Sequence, residues 1–94
     1  LPKTFELSQN YPNPFNPTTE IRFDIPKTSN VKMVVYDIMG RVVRTLVDQK
    51  MEAGSHRISW NGRDLAGNTV SSGVYFYHIQ AEGFVATKKM TLMK

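Results

Sequence analysis

Apolar and polar positions alternate along this chain in short runs of period two, the pattern of strands that bury one face. Ile21, Phe23 and Ile25 point one way and Arg22 and Asp24 the other, until Pro26 ends the run. Val31, Met33 and Val35 form a second set, broken at Asp37–Gly40. Val43 with Leu46 or Val47 makes a third, less regular run, and Ile58 and Trp60 follow, stopping at Asn61-Gly62. Tyr75, Tyr77 and Ile79 then alternate with Phe76, His78 and Gln80. The last run takes Val85 and Thr87, then Met90 and Leu92, and Leu1–Gln9 can lie along an edge. About seven short strands separated by turn residues predict an all-β antiparallel sandwich.

Composition supports strands over helices. Val, Ile and Thr supply 22 residues, while Ala and Leu supply nine; branched side chains suit a pleated surface. All five prolines lie in the first 26 residues, so a donor-poor, extended opening precedes a body free to pair strands. The expected organisation is one domain over residues 1–94, with a proline-rich lead-in at 1–18 and a sandwich body at 19–94. No window carries a long amphipathic helix, and no internal repeat is visible.

Charge and cysteine content narrow the chemistry. Twelve Lys and Arg against eight Asp and Glu leave a net charge of +4. The absence of cysteine excludes disulfides, zinc-finger ligation and thiol nucleophiles. The longest apolar runs, Met33–Tyr36 and Val74–Tyr77, are four residues each, too short to cross a bilayer as a helix. Position 1 is Leu rather than Met, and the chain is expected to be part of a longer polypeptide.

Each candidate for chemistry has a structural reading beside it. In Asn10–Pro17, closely spaced prolines force extended or turn geometry. Tyr11 and Phe15 are expected to pack on a sheet face while Asn13 and Asn16 satisfy local backbone groups. The segment reads as a plug for the open end of the sandwich, or as a rigid docking surface. Asp37 is expected to accept backbone N–H groups two or so residues on, with Gly40 at positive φ. Asn61, Asp64 and Asn68 each offer an oxygen to calcium, but only one is charged, and hairpin residues explain the loop better. His56 and His78 fall on polar phases and are expected at the surface. Trp60, in phase with Ile58, is expected in the core rather than stacked on a sugar. No nucleophile elbow, phosphate loop or dinucleotide fingerprint occurs. Lys88, Lys89 and Lys94 concentrate positive charge in the last seven residues, but no aromatic-basic motif points to nucleic acid.

Taken in order, several motifs match a known family. Gln9-Asn10-Tyr11-Pro12-Asn13-Pro14-Phe15-Asn16-Pro17-Thr18-Thr19 with Ile21-x-Phe23 resembles the opening of the type A C-terminal sorting domains of the type IX (Por) secretion system. The resemblance continues through Tyr36-Asp37-x-x-Gly40-Arg41, Trp60-Asn61-Gly62-Arg63-Asp64 and Ser72-Gly73-Val74-Tyr75-Phe76-Tyr77. It closes with Lys88-Lys89-Met90-x-Leu92-x-Lys94. The middle also resembles the immunoglobulin-like domain of flagellar hook-cap scaffolding proteins.

The sorting-domain resemblance implies an immunoglobulin-like sandwich with no active site and no cofactor. It implies a module that directs a covalently linked N-terminal cargo from the periplasm to the cell surface or medium. The implied partners are the outer-membrane translocon and a sortase-like peptidase, with no nucleic acid and no transmembrane segment, the domain itself being monomeric. The implied recognition residues are Pro12, Asn13, Pro14, Gly73, Tyr75, Lys88, Lys89 and Lys94, with Leu1–Thr4 near the cargo junction. The alternatives are an accessory module binding carbohydrate or calcium, and an assembly domain of the hook-cap type.

Overall fold

The computed structural model describes residues 1–94, folded as seven strands in two antiparallel sheets with no helix. One sheet has the order β1-β2-β5, with β1 at Glu6–Leu7, β2 at Thr19–Ile25 and β5 at Gly54–Trp60. The other has the order β4-β3-β6-β7, with β3 at Ser29–Asp37, β4 at Val42–Met51, β6 at Gly73–Ala81 and β7 at Phe84–Leu92. The antiparallel sandwich expected from the alternation, immunoglobulin-like as the resemblance implies, is the observed architecture.

Alternation dictates the core. Ile21, Phe23 and Ile25 from β2 are buried, and so are Val31, Met33 and Val35 from β3 and Tyr75, Tyr77 and Ile79 from β6. Trp60, at 1% exposure, packs edge-on to Tyr75 with ring centroids 5.4 Å apart, so it is core and not a sugar platform. A chain this small buries a modest share of its surface, and aromatic side chains supply much of what it has.

Three expectations, for β7, His56 and Tyr11, need correction, while the irregular run at Val43–Val47 finds its cause. In β7 the inward phase is even-numbered throughout: Val85 is 57% exposed and Thr87 is exposed, whereas Phe84 and Ala86 pack against the core. β4 has a broken period because the register with β3 shifts twice, between Met33 and Val34 and between Val35 and Tyr36. Each shift leaves one extra residue on β4, a bulge that resets which face looks inward. His56 is in phase with Ile58 and Trp60, half-buried, and stacked on Phe23 at 5.5 Å, so it covers one end of the core. Its hydrogen bond to the Glu52 carbonyl (2.8 Å) supplies the polar contact this position needs. Tyr11 is 80% exposed and does not pack on a sheet.

The Asp37–Gly40 turn is as the sequence predicts, and a second tight turn joins the last two strands. β6 and β7 are joined by Glu82 and Gly83, with φ of 45° and 85°, the two positive values a primed two-residue hairpin requires. Between β3 and β4, Asp37 Oδ1 accepts the N–H groups of Met39 and Arg41, each at 2.9 Å, and Gly40 has φ 81°.

Candidate functional site

The lead-in meets the last strand. Phe5 stacks on Phe84 with centroids 5.3 Å apart, and β1 then pairs with β2 at the edge of the smaller sheet. From Gln9 onward the chain runs beside the far end of β7. The Gln9 side chain donates to the Lys89 carbonyl (2.7 Å), and Thr91 N–H donates to Asn13 Oδ1 (3.1 Å). Phe15 N–H donates to the Thr91 carbonyl (3.0 Å), and Met93 N–H donates to the Phe15 carbonyl (2.9 Å). This is a short parallel ladder, centred on the Phe15–Leu92 bridge.

Burial explains why the lead-in stays there. The Phe15 ring is buried and lies 5.7 Å from the Trp60 ring. Asn10 is buried too, and its side-chain amide and its backbone N–H are all hydrogen-bonded. Its side-chain amide donates to Thr19 Oγ1 (3.0 Å) and to the Pro12 carbonyl (3.2 Å), and its N–H donates to the Tyr77 hydroxyl (2.8 Å). That hydroxyl donates in turn to the Ser8 carbonyl (2.7 Å). Burial pushes the Tyr77 pKa up to about 12, against the opposing pull of the Asn10 N–H. The lead-in therefore closes the sandwich, as the plug reading expected, while Pro12, Asn13 and Pro14 remain exposed on its surface.

The recognition residues implied by resemblance divide into three groups. Pro12, Asn13 and Pro14 are brought beside Lys89–Met93 by the ladder just described. Gly73 stands opposite Leu92, and Lys89 opposite Phe76. Lys88, opposite Tyr77, shares the inward phase of Met90 and is half-buried, so Lys88 and Lys89 leave the strand on opposite faces. Lys94 follows the strand, its N–H donating to Ser72 Oγ (3.1 Å). Neither Lys88, Lys89 nor Lys94 is in an ion pair. Tyr75 is 5% exposed, with its hydroxyl donating to the Ser71 carbonyl (2.6 Å). Its ring supports this end of the molecule from within and offers no surface to a partner. Neither the Asn13–Thr91 nor the Gln9–Lys89 contact is signalled in the sequence, because both are long-range; in place of the local bond expected of it, Asn13 reaches across to β7.

In the loop considered for calcium, Asp64 Oδ1 and Asn61 Oδ1 are taken by the loop's own N–H groups. Asp64 Oδ1 accepts N–H groups from Ala66 (3.0 Å) and Asn68 (2.9 Å), and Asn61 Oδ1 accepts Arg63 N–H (3.2 Å). Arg63 donates to the Gly67 carbonyl and Arg44 to the Asp64 carbonyl, at 2.8 and 2.9 Å. These bonds describe a self-capped turn. Between this loop and the β3–β4 turn lies an open groove of about 450 Å³, lined by Val42, Val43, Val70 and Val74. Its Asp37 carboxylate is held by the backbone N–H of Arg41, the Arg41 guanidinium (2.8 Å) and Met39 N–H, which keep its pKa below the usual carboxylate value. His78 Nδ1 shares a hydrogen bond with Thr87 Oγ1 (2.7 Å) on the outer face.

This two-sheet fold, sealed by an N-terminal strap, defines an immunoglobulin-like module. The FlgD Ig-like domain family matches residues 9–83, and the chain belongs to that family. Basal-body rod modification protein FlgD of Salmonella typhimurium is 41% identical over 51 residues, 54% of this chain and 22% of FlgD. The chain thus spans about a fifth of the curated relatives it matches. In a solved structure, FlgD of P. aeruginosa is 30% identical over 79% of this chain and 58% of its own, with a TM-score of 0.62. The fold is also shared with dimeric latent PorU from Porphyromonas gingivalis, at TM-score 0.74 and 24% identity, covering 90% of this chain and 9% of PorU. PorZ, an essential surface component of the type IX secretion system of the same organism, aligns at TM-score 0.64 and 20% identity over 96% of this chain and 11% of its own.

Proposed function

We propose that this domain is a non-catalytic sorting module that directs a covalently linked cargo across the outer membrane by the type IX secretion system. One observation carries the reading. Residues from opposite ends of the chain, Pro12–Pro14 in the lead-in and Lys89 and Lys94 at or beyond the end of β7, form one continuous surface tied by backbone and amide hydrogen bonds. A receptor that reads this surface reads a folded module, because neither half exists without the other. The fold likeness to PorU and PorZ supports the reading without carrying it. In this role the domain passes through the periplasm and engages a translocon and a sortase-like peptidase that removes it, the cargo being anchored at the surface or released.

The test is a reporter fused ahead of the domain. Replacing Lys88, Lys89 and Lys94 by Gln removes the charges and leaves shorter, unbranched polar side chains. The thermal midpoint should move by only a few degrees, since Lys89 and Lys94 are exposed, Lys88 is half-buried and none of the three is in an ion pair, while delivery of the reporter fails. Normal delivery of the triple variant overturns the proposal.

A second reading has its own support. The identity to FlgD over half of this chain favours an assembly module that packs against copies of a structural protein. That reading expects binding to a filament or cap subunit and no effect of the lysine changes on export.

A further inference from the structure

The free side of β7 is divided into a covered half and an open half. The register with β6 is unbroken from Gly73–Leu92 to Ala81–Phe84. Main-chain groups of Lys89, Thr91 and Met93 point away from β6 and are taken by Gln9, Asn13 and Phe15. By the same alternation the N–H and C=O of Val85 and Thr87, and the N–H of Lys89, point outward from the sheet. These groups have no partner in the chain, and both Val85 and Thr87 are exposed. β1, which precedes the segment covering the other half, is paired with β2.

Edge strands in stable proteins are blunted, because unpaired backbone invites another strand. The free edge of β4 is broken by two bulges and is bonded at the Val43 carbonyl by Leu65 N–H (3.0 Å). β1 is only two residues long. β7 has nine residues and no bulge. What marks its open half is charge: Lys88 and Lys89 are unpaired, and no acid follows Glu82 in the sequence. Two copies meeting edge to edge would set four lysines together, so these cations act against self-pairing. An acidic strand meets the opposite balance.

We propose that the open edge of β7, from Val85 to Lys89, receives an extended acidic segment of a partner protein as a fifth strand of the larger sheet. Main-chain hydrogen bonds to Val85, Thr87 and Lys89 supply affinity, and Lys88 and Lys89 select for carboxylates on either face of the added strand. The inference deepens the sorting reading and rests on it for the partner's identity, but its chemistry is testable in the isolated chain.

Hydrogen exchange is the direct measurement. The probe is a short peptide of alternating glutamate and valine, with alternating lysine and valine as its control. The acidic peptide should slow exchange at the amides of Val85 and Thr87 by at least about tenfold, and the basic one should leave them unchanged. Protection elsewhere, or none at Val85 and Thr87, overturns the proposal. Thr87→Pro removes an outward N–H that the fold does not use, so it should fold and lose the peptide. Thr87→Val, which keeps the N–H and loses the contact to His78, should retain it. In the reporter assay, failure of the lysine variant with normal delivery of Thr87→Pro would leave sorting intact and strand addition refuted.

Discussion

The N–H of Asn10 donates to the hydroxyl of Tyr77 at 2.8 Å, joining the lead-in to the middle of the larger sheet. The same hydroxyl donates to Ser8, so a single oxygen fixes the chain on both sides of Gln9. Tyr77→Phe leaves the Asn10 N–H and the Ser8 carbonyl without these partners. Unfolding in denaturant should show a loss of about 1–3 kcal/mol, the cost of unsatisfied buried polar groups.

The raised pKa of Tyr77 makes a second, pH-dependent statement. Folded, it holds its proton to about 12, while the unfolded side chain releases it near 10.0. Between those values the unfolded state has fewer protons than the folded one, so stability falls as pH rises. Below pH 10 this group contributes no slope. Thermal midpoints measured from pH 9 to 12 should fall more steeply for the wild-type chain than for Tyr77→Phe.

Phe15 is the apolar anchor of the strap. Phe15→Ala removes a buried ring from its place beside Trp60 and should cost about 3–5 kcal/mol. Exchange at the Met93 amide, which is bonded to the Phe15 carbonyl, should quicken more than exchange within β2 and β3. Equal quickening everywhere would show that the strap and the sandwich unfold as one unit.

The β3–β4 turn should be sensitive to acid. Asp37 is held ionised by N–H donors from Arg41 and Met39 and by the Arg41 side chain. Its folded pKa is depressed, so its contribution is present above the ordinary value of 3.8 and is lost as pH falls through the lower folded value. Asp37→Ala should lower the thermal midpoint at neutral pH, and the difference should shrink as the pH is taken well below 3.8.

Gly62 is a position where even one methyl group is costly. It has φ 73°, and a Cβ there would sit 3.2 Å from the Pro17 carbonyl. Gly62→Ala should lose at least about 1 kcal/mol from the left-handed backbone alone, and more if the lead-in is pushed away. A calorimetric midpoint unchanged by the substitution would contradict the close approach of the two segments.

Legibility in the sequence followed locality. β2, β3 and β6 were readable because clean alternation decides which face is buried. β7 misled because Val85 looks like a core residue, yet unbroken pairing with β6 sends it outward and gives its inward place to Ala86 and Lys88. The bulges of β4 leave no local signature beyond an irregular spacing of valines. The Asp37 turn was legible because its partners lie within four residues. The surface joining Asn13 to Thr91 was not, because 78 residues separate them; only the family resemblance links the two ends.

Phe15 pairs in parallel with Leu92, and this direction has a mechanical consequence. A pull that separates the two ends of the chain draws Gln9–Phe15 backwards along β7 and draws β7 forwards. The Gln9, Asn13, Phe15 and Met93 bonds then lie across the sliding direction and share the load together, rather than opening one by one as a peeled hairpin does. A domain gripped at its last strand and loaded through its first residues would resist as a clasp does, holding until the whole row shears at once.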